Sequence, residues 1–305
     1  MLTSEMIKKK ALEFGADITG IGDIVGFDGE ISQRDPRNIL PRAKCILGFV
    51  FRIPKANFEV QEYGGQYYSL ANFSIKSTAE DQMIFFMHKM MHLIEDAGYE
   101  AVPQRDIPNL RIKDDFGVNP EVRKTTTMQY ARPVRPDRPA PDVMIDFDRA
   151  ARICGLGAKG CHGHLINKRF GPYQRMTFIV TNAPLECDKP LTDSLCDHCG
   201  ACIESCPGHA VDPKTGLNEW QCAVYYRGAH RSNPFMTEEY LKGREDREAI
   251  LNGTKRFDRE SALEVLNQTE FLPGIQYKYV PCLCGRKCDI ACYHHLKENG
   301  LLESV

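Results

Sequence analysis

The chain has 305 residues, 42% hydrophobic and 26% charged, with a formal net charge of −2. That balance suits one or two packed globular domains and excludes a chain-wide basic field for nucleic acid. No apolar run approaches the length of a membrane span, and the first ten residues hold neither an apolar signal region nor paired arginines. The expectation is therefore a cytoplasmic protein without membrane contact, in which the 13 cysteines serve as metal ligands or redox groups instead of disulfides.

In chain order, Ser4 is placed to cap a helix with Ile7, Ala11, Leu12 and Phe14 at helical spacing, closed by Gly15 in a left-handed conformation. Residues 16–21 alternate like a half-buried strand, and Cys45 to Phe51 reads as a fully buried one, with Cys45 as a core residue. The aromatic and glycine-rich stretch from Tyr63 to Tyr68 suits loop packing, with contact to a planar cofactor as the sharper alternative. Ser77 to Glu80 forms a capping box ahead of a helix whose stripe is Ile84, Met87, Met91 and Ile94. His88 and His92 share a face of that helix, but no third ligand stands at a useful spacing.

From Pro103 to Pro141 the chain holds seven prolines and many charges without a lasting period, the composition of a lid, a substrate loop or an interface arm. Residues 146–154 suit a helix that leads into the glycine-dense run Gly155 to Asn167, where backbone can approach a ligand closely. That run matches neither the phosphate-binding loop nor the dinucleotide fingerprint. Met176 to Val180 reads as a strand.

The strongest signal is Cys196, Cys199, Cys202, Cys206-Pro207, a C-x-x-C-x-x-C-x-x-x-C-P run. Three thiolates at that spacing wrap one cubane, and the fourth ligates another, so the motif predicts two 4Fe-4S clusters. Further thiols follow at Cys222, Cys282, Cys284, Cys288 and Cys292. The assignment gives the first cluster Cys196, Cys199, Cys202 and Cys292, and the second Cys206, Cys222, Cys284 and Cys288, with Cys282 spare and its exchange with Cys284 open. Zinc knuckles and a disulfide framework are the competing readings, and neither requires the proline after the fourth cysteine.

The stretch from Gly155 to Pro172, then a strand ending at Thr181-Asn182, then Asp188-Lys189-Pro190 and the cysteine motif, resembles the iron-sulfur, cobalamin-dependent family of epoxyqueuosine reductase and the reductive dehalogenases. The resemblance implies an α/β (α+β) fold: a nitroreductase-like corrinoid-binding domain over residues 1–190, followed by a ferredoxin-like two-cluster domain over 191–305. It places Gly155, Gly157, Gly160, Cys161, His162, Gly163 and Asn167 along the cobalamin-binding loop, and a proton donor among Tyr130, Asp142 and Asp146. For Asp146 a helix cap is an equally good reading. Departures are Cys161, where relatives often have a basic residue, Tyr293 in place of a proline, and a second cysteine motif one residue longer at its start. A C-terminal extension like the one that epoxyqueuosine reductases use to hold tRNA is missing. With the near-neutral charge, this favours reductive cleavage of a carbon–heteroatom bond in a small-molecule substrate, with a ferredoxin or flavodoxin-type electron donor, and sets tRNA aside. An electron-transfer protein without corrinoid, or one that reduces a partner's corrinoid, is the alternative, and a tRNA-acting epoxyqueuosine reductase is the third.

Overall fold

The strand Cys45–Arg52 (β2) is buried at every position but its last, as an unbroken apolar run in a central strand must be. It lies in a sheet with Ile18–Asp23 (β1), Ala101–Gln104 (β3) and Gln174–Thr181 (β4), in the order β1-β2-β4-β3. The β1–β2 and β3–β4 pairs are antiparallel, with Ile18 opposite Val50 and Ala101 opposite Thr181. These coordinates form a computed structural model that describes residues 2–104, 133–141, 143–266 and 282–303. The chain makes two compact units of mixed α/β structure, one of Met1–Phe51, Gln82–Ala158 and Met176–Asp193, the other of Arg52–Asp81, Lys159–Arg175 and Ser194–Val305. The units are interleaved in sequence, whereas the expectation was of two consecutive stretches meeting at residue 190.

In the first unit the helix Ser4–Glu13 (α1) is capped by Thr3, whose side chain accepts the Met6 N–H, so the cap stands one residue before the expected Ser4. Ile7 and Ala11 are buried while Leu12 is exposed, and Gly15 takes φ of 108°. The helix Met83–Asp96 (α2) buries Met83, Phe86, Met87, Met90 and Ile94. The expected period is right, but its stripe is rotated: Ile84 and Met91 lie at the edge. Phe86 sets the register by packing edge-on against Phe49 and Phe51, at 4.7 and 5.0 Å. Helical turns already run through Ser77, and α2 begins after Gln82 without a side-chain cap.

The helix Phe147–Ile153 (α3) lies so close to the sheet that glycine is required beneath it. A Cβ on Gly20 would stand 2.1 Å from the Cys154 carbonyl oxygen, and one on Gly48 2.5 Å from Leu156. Backbone cannot yield as a flexible side chain does, so Gly20 is a packing requirement, whereas Gly48 is crowded by the side chains of Leu156 and Phe178.

The second unit has two apolar clusters. One gathers Val224, Tyr225, Ile250, Leu251, Phe257 and Val265, and the Tyr225 hydroxyl donates to the Ile250 carbonyl at 2.7 Å. The other holds Phe58, Leu70, Tyr173 and Ile290. Tyr173 stacks between Phe58 (3.8 Å) and Tyr293 (4.2 Å), so the tyrosine that departs from the resembled family's proline closes a three-ring stack.

That stack borders the helix Lys287–Glu298, which a buried polar knot anchors. Arg286 takes a left-handed φ of 52° and donates through Nε to Asp289 Oδ2 at 2.6 Å, and His164 Nδ1 lies 2.7 Å from Asp289 Oδ1. Asp289 is fully buried. Burial opposes its ionisation, but the Arg286 guanidinium and His164 outweigh it and hold the carboxyl well below the usual range. Burial and the Arg286 cation pull His164 down to about 3, so its ring is neutral.

Two stability tests follow from this packing. Gly20→Ala drives a methyl into the Cys154 carbonyl and is expected to destabilise by about 1–3 kcal/mol, read as a lower urea midpoint; an unchanged midpoint contradicts the packing. Asp289→Leu strands a buried guanidinium and is expected to cost about 3–5 kcal/mol, whereas Arg286→Met combined with Asp289→Leu recovers much of the loss. A double variant as unstable as the single would show that the knot is not held by charge.

Candidate functional site

Cys196, Cys199 and Cys202 lie on a loop that turns through His198 (φ 60°) and Gly200 (φ 86°) into the short helix Ala201–Glu204 (α4). Local hydrogen bonds fix the loop: Ser194 Oγ accepts the Cys196 N–H at 3.2 Å, and Asp197 Oδ1 accepts the Cys199 N–H at 3.1 Å. Asp197 Oδ2 lies 2.7 Å from His295 Nε2, which ties the loop to the helix bearing Cys292. Cys196, Cys199, Cys202 and Cys292 line one partly open cavity, bordered also by Cys161 and His162. The first expected ligand set is thus gathered around one space.

The second set converges as well. Cys222, on the helix Glu219–Tyr226 (α5), lies within electrostatic reach of Cys206 and Cys284, and Cys288 within reach of Cys284 and Cys222. Cys206 Sγ accepts the Ala210 N–H at 3.3 Å, a bond of the kind that tunes cluster sulfurs. Cys282 is fully buried, with its sulfur 3.7 Å from that of Cys284. Cys288 and Cys292 stand four apart on Lys287–Glu298 (α6), on one face and one turn from each other. One helix therefore carries a thiol for each group.

The chemistry of these donors suits a metal. Burial pushes the Cys202 and Cys222 thiols up to about 12, and Cys288 and Cys292 upward too. Crowded thiols cannot ionise together without cations, and a bound metal reverses that by deprotonating its ligands outright.

The glycine-dense run is more mixed. A Cβ on Gly155 would meet the Lys189 carbonyl at 2.8 Å, one on Gly160 the His162 ring at 3.2 Å, and one on Gly163 the Leu217 side chain at 2.9 Å, so these three glycines answer to protein packing. Gly157 is buried and Cys161 half-buried. Asn167 Oδ1 accepts the Arg169 and Phe170 N–H groups, which makes it a turn former. What this packing leaves over is polar: His162 Nε2, Asn167 Nδ2 and Gln174 Oε1 are buried and have no hydrogen-bond partner among the described residues. Such atoms fit a bound polar group or ordered water.

Of the expected proton donors, Tyr130 and Asp142 lie outside the described residues. Asp146 caps α3, with Oδ1 accepting the Arg149 N–H at 3.0 Å and Oδ2 accepting from Arg34 at 2.8 Å. Both oxygens accept, the arrangement of a helix cap tied to a neighbouring arginine. Tyr63 is exposed, and Tyr67 packs edge-on to Phe235 at 6.3 Å. Sequence reasoning missed the Arg286–Asp289–His164 knot and the position of His198. The first had a faint signal in the i,i+3 spacing of opposite charges at a helix start.

No protein-family model matches the chain. Curated relatives include the epoxyqueuosine reductases of Prochlorococcus marinus (31% identical over 86 residues, 28% of this chain and 27% of that protein) and Synechococcus sp. (33% over 103 residues, 32% of each). That of Staphylococcus aureus is 32% identical over 100 residues, 32% of this chain and 25% of that protein. The chain therefore spans only 25% to 32% of the length of these relatives. Among solved structures, a catabolic reductive dehalogenase in complex with 3-bromo-4-hydroxybenzoic acid is similar at a TM-score of 0.50 and 15% identity, covering 86% of this chain and 35% of that one. An epoxyqueuosine reductase with an epoxyqueuosine-modified tRNA-Tyr stem loop is similar at 0.47 and 15%, covering 97% and 82%. Among the described residues, no helix is long and apolar enough to cross a membrane.

The expectation of a small-molecule substrate, with tRNA set aside, is corrected by these relatives. The curated relatives are named epoxyqueuosine reductase, after a modified nucleoside and not a free small molecule. The physical error lay in reading a whole-chain charge of −2 as evidence against RNA, when binding depends on local basic patches that a sum hides. The resemblance read from the cysteine motif and the glycine-dense run is thus the one that the comparisons return, to the epoxyqueuosine reductases in sequence and to a reductive dehalogenase in fold.

Proposed function

We propose that this chain is an iron-sulfur, cobalamin-dependent reductase that acts on epoxyqueuosine carried by tRNA. The observation that carries the iron-sulfur reading is the gathering of Cys196, Cys199, Cys202 and Cys292 around a single cavity, with Cys288 one turn from Cys292 on the same helix. The substrate follows from the names of the curated relatives. In this reading a nitroreductase-like part holds the corrinoid, and a ferredoxin-like part holds two 4Fe-4S clusters.

When bound, cobalamin supplies a metal-centred reductant strong enough to open a carbon–oxygen bond, chemistry beyond any side chain. The chain's own residues bind and orient. Buried His162, Asn167 and Gln174 offer their unspent polar atoms to the polar edge of such a group. Cys288 and Cys292 fix the spacing of the two metal groups on one rigid helix. Opening an epoxide consumes protons as well as electrons, and the donor is sought in the 130–148 segment, with Tyr130 and Asp142 ahead of the salt-bridged Asp146.

The test is a single-turnover reaction under anaerobic conditions, with dithionite, hydroxocobalamin and tRNA that bears epoxyqueuosine, followed by nucleoside mass spectrometry. Loss of epoxyqueuosine that needs both protein and corrinoid is expected. Protein that binds no corrinoid and leaves the nucleoside at the reductant-only rate would leave an electron carrier. A companion measurement is tRNA affinity against salt, where log K is expected to fall linearly with log salt as phosphate contacts release counterions. A flat dependence would exclude a specific tRNA site.

A further inference from the structure

Five thiols, not four, surround the first cavity. Cys161 lines it beside Cys196, Cys199, Cys202 and Cys292. Its sulfur lies 3.2 Å from His198 Nδ1, and the ligating atoms of Cys161, Cys196 and His198 all lie within 4.8 Å of one another. Cys161 comes from the glycine-dense run, whereas Cys196 opens the cysteine motif, so two separate segments present a thiol to the same side of the cavity. Both are half-buried, while Cys202 is buried. A cubane has four corners for protein ligands, which leaves one thiol over on the side where two stand together.

We propose that Cys161 and Cys196 are alternative ligands for one corner of the first cluster, giving two ligand sets that share Cys199, Cys202 and Cys292. The exchange is redox-neutral: an iron–sulfur bond to Cys196 breaks and one to Cys161 forms, the Cys161 thiol releases its proton to solvent, and the freed Cys196 thiolate takes one up. The chain between Cys196 and Cys199 turns through a left-handed His198. This inference rests on the iron-sulfur reading above, and the experiment separates the two.

Wild type, C161S, C196S and the C161S/C196S double variant are purified anaerobically. Iron per chain is measured with the electron paramagnetic resonance spectrum of the dithionite-reduced protein. About eight irons in wild type support the iron-sulfur reading, and far fewer would sink that reading itself. Given a loaded wild type, both single variants are expected to keep about eight irons, with an altered spectrum in C196S, and the double variant to fall to about four. C196S falling to about four irons by itself overturns the exchange. A second measurement needs no variant. Iodoacetamide on the loaded wild-type protein should give chains labelled at Cys161 and other chains labelled at Cys196, never both on one chain. Label on Cys161 alone, with Cys196 fully protected, overturns the proposal.

Discussion

The second unit depends on a single geometric constraint: Cys288 and Cys292 sit one helical turn apart on α6. Because side chains four residues apart lie on the same face, one rigid element must serve both cysteine groups, and the loops bearing Cys196 to Cys206 and the helix bearing Cys222 are arranged around it. The helix needs an anchor for this, and the fully buried Asp289, held by Arg286 and His164, provides it at the first turn. A buried ion pair is a poor source of net stability, but it is a good device for fixing orientation, since any other rotation of the helix would strand a charge.

The elements that sequence showed were those with a strong local period or a metal-like spacing. β2 announced itself as an apolar run, α1 by its helical period and Gly15, and the gathering of Cys196, Cys199 and Cys202 at one cavity by the Cys196 to Pro207 motif. What escaped was set by long-range contact. The rotation of α2 is decided by Phe86 meeting Phe49 and Phe51, more than thirty residues away. The crowding at positions 20 and 48 comes from Cys154 and Leu156, just past the end of a helix more than a hundred residues later. The partners of Arg286 and Asp289 include His164, which no spacing rule connects to them.

The glycine-dense run shows how one pattern can serve two causes. Frequent glycine suggests a ligand cradle, but Gly155, Gly160 and Gly163 each face protein atoms. The better indication of a bound group comes from the polar atoms on the same run that packing leaves unpaired. Charge misled in a similar way: a near-zero sum is compatible with a basic stretch such as residues 103–141, and only the relatives turned the reading toward tRNA.

Two cubanes held by ligand sets that cross between the cysteine motif and α6 would divide the bound iron equally between two sites. Mössbauer spectroscopy of protein produced with iron-57 tests this division most directly. The account predicts that all bound iron appears as two equal populations of 4Fe-4S clusters, and that Cys292→Ser perturbs one population while Cys288→Ser perturbs the other. A single cluster population, or stoichiometric zinc in place of iron, would contradict it.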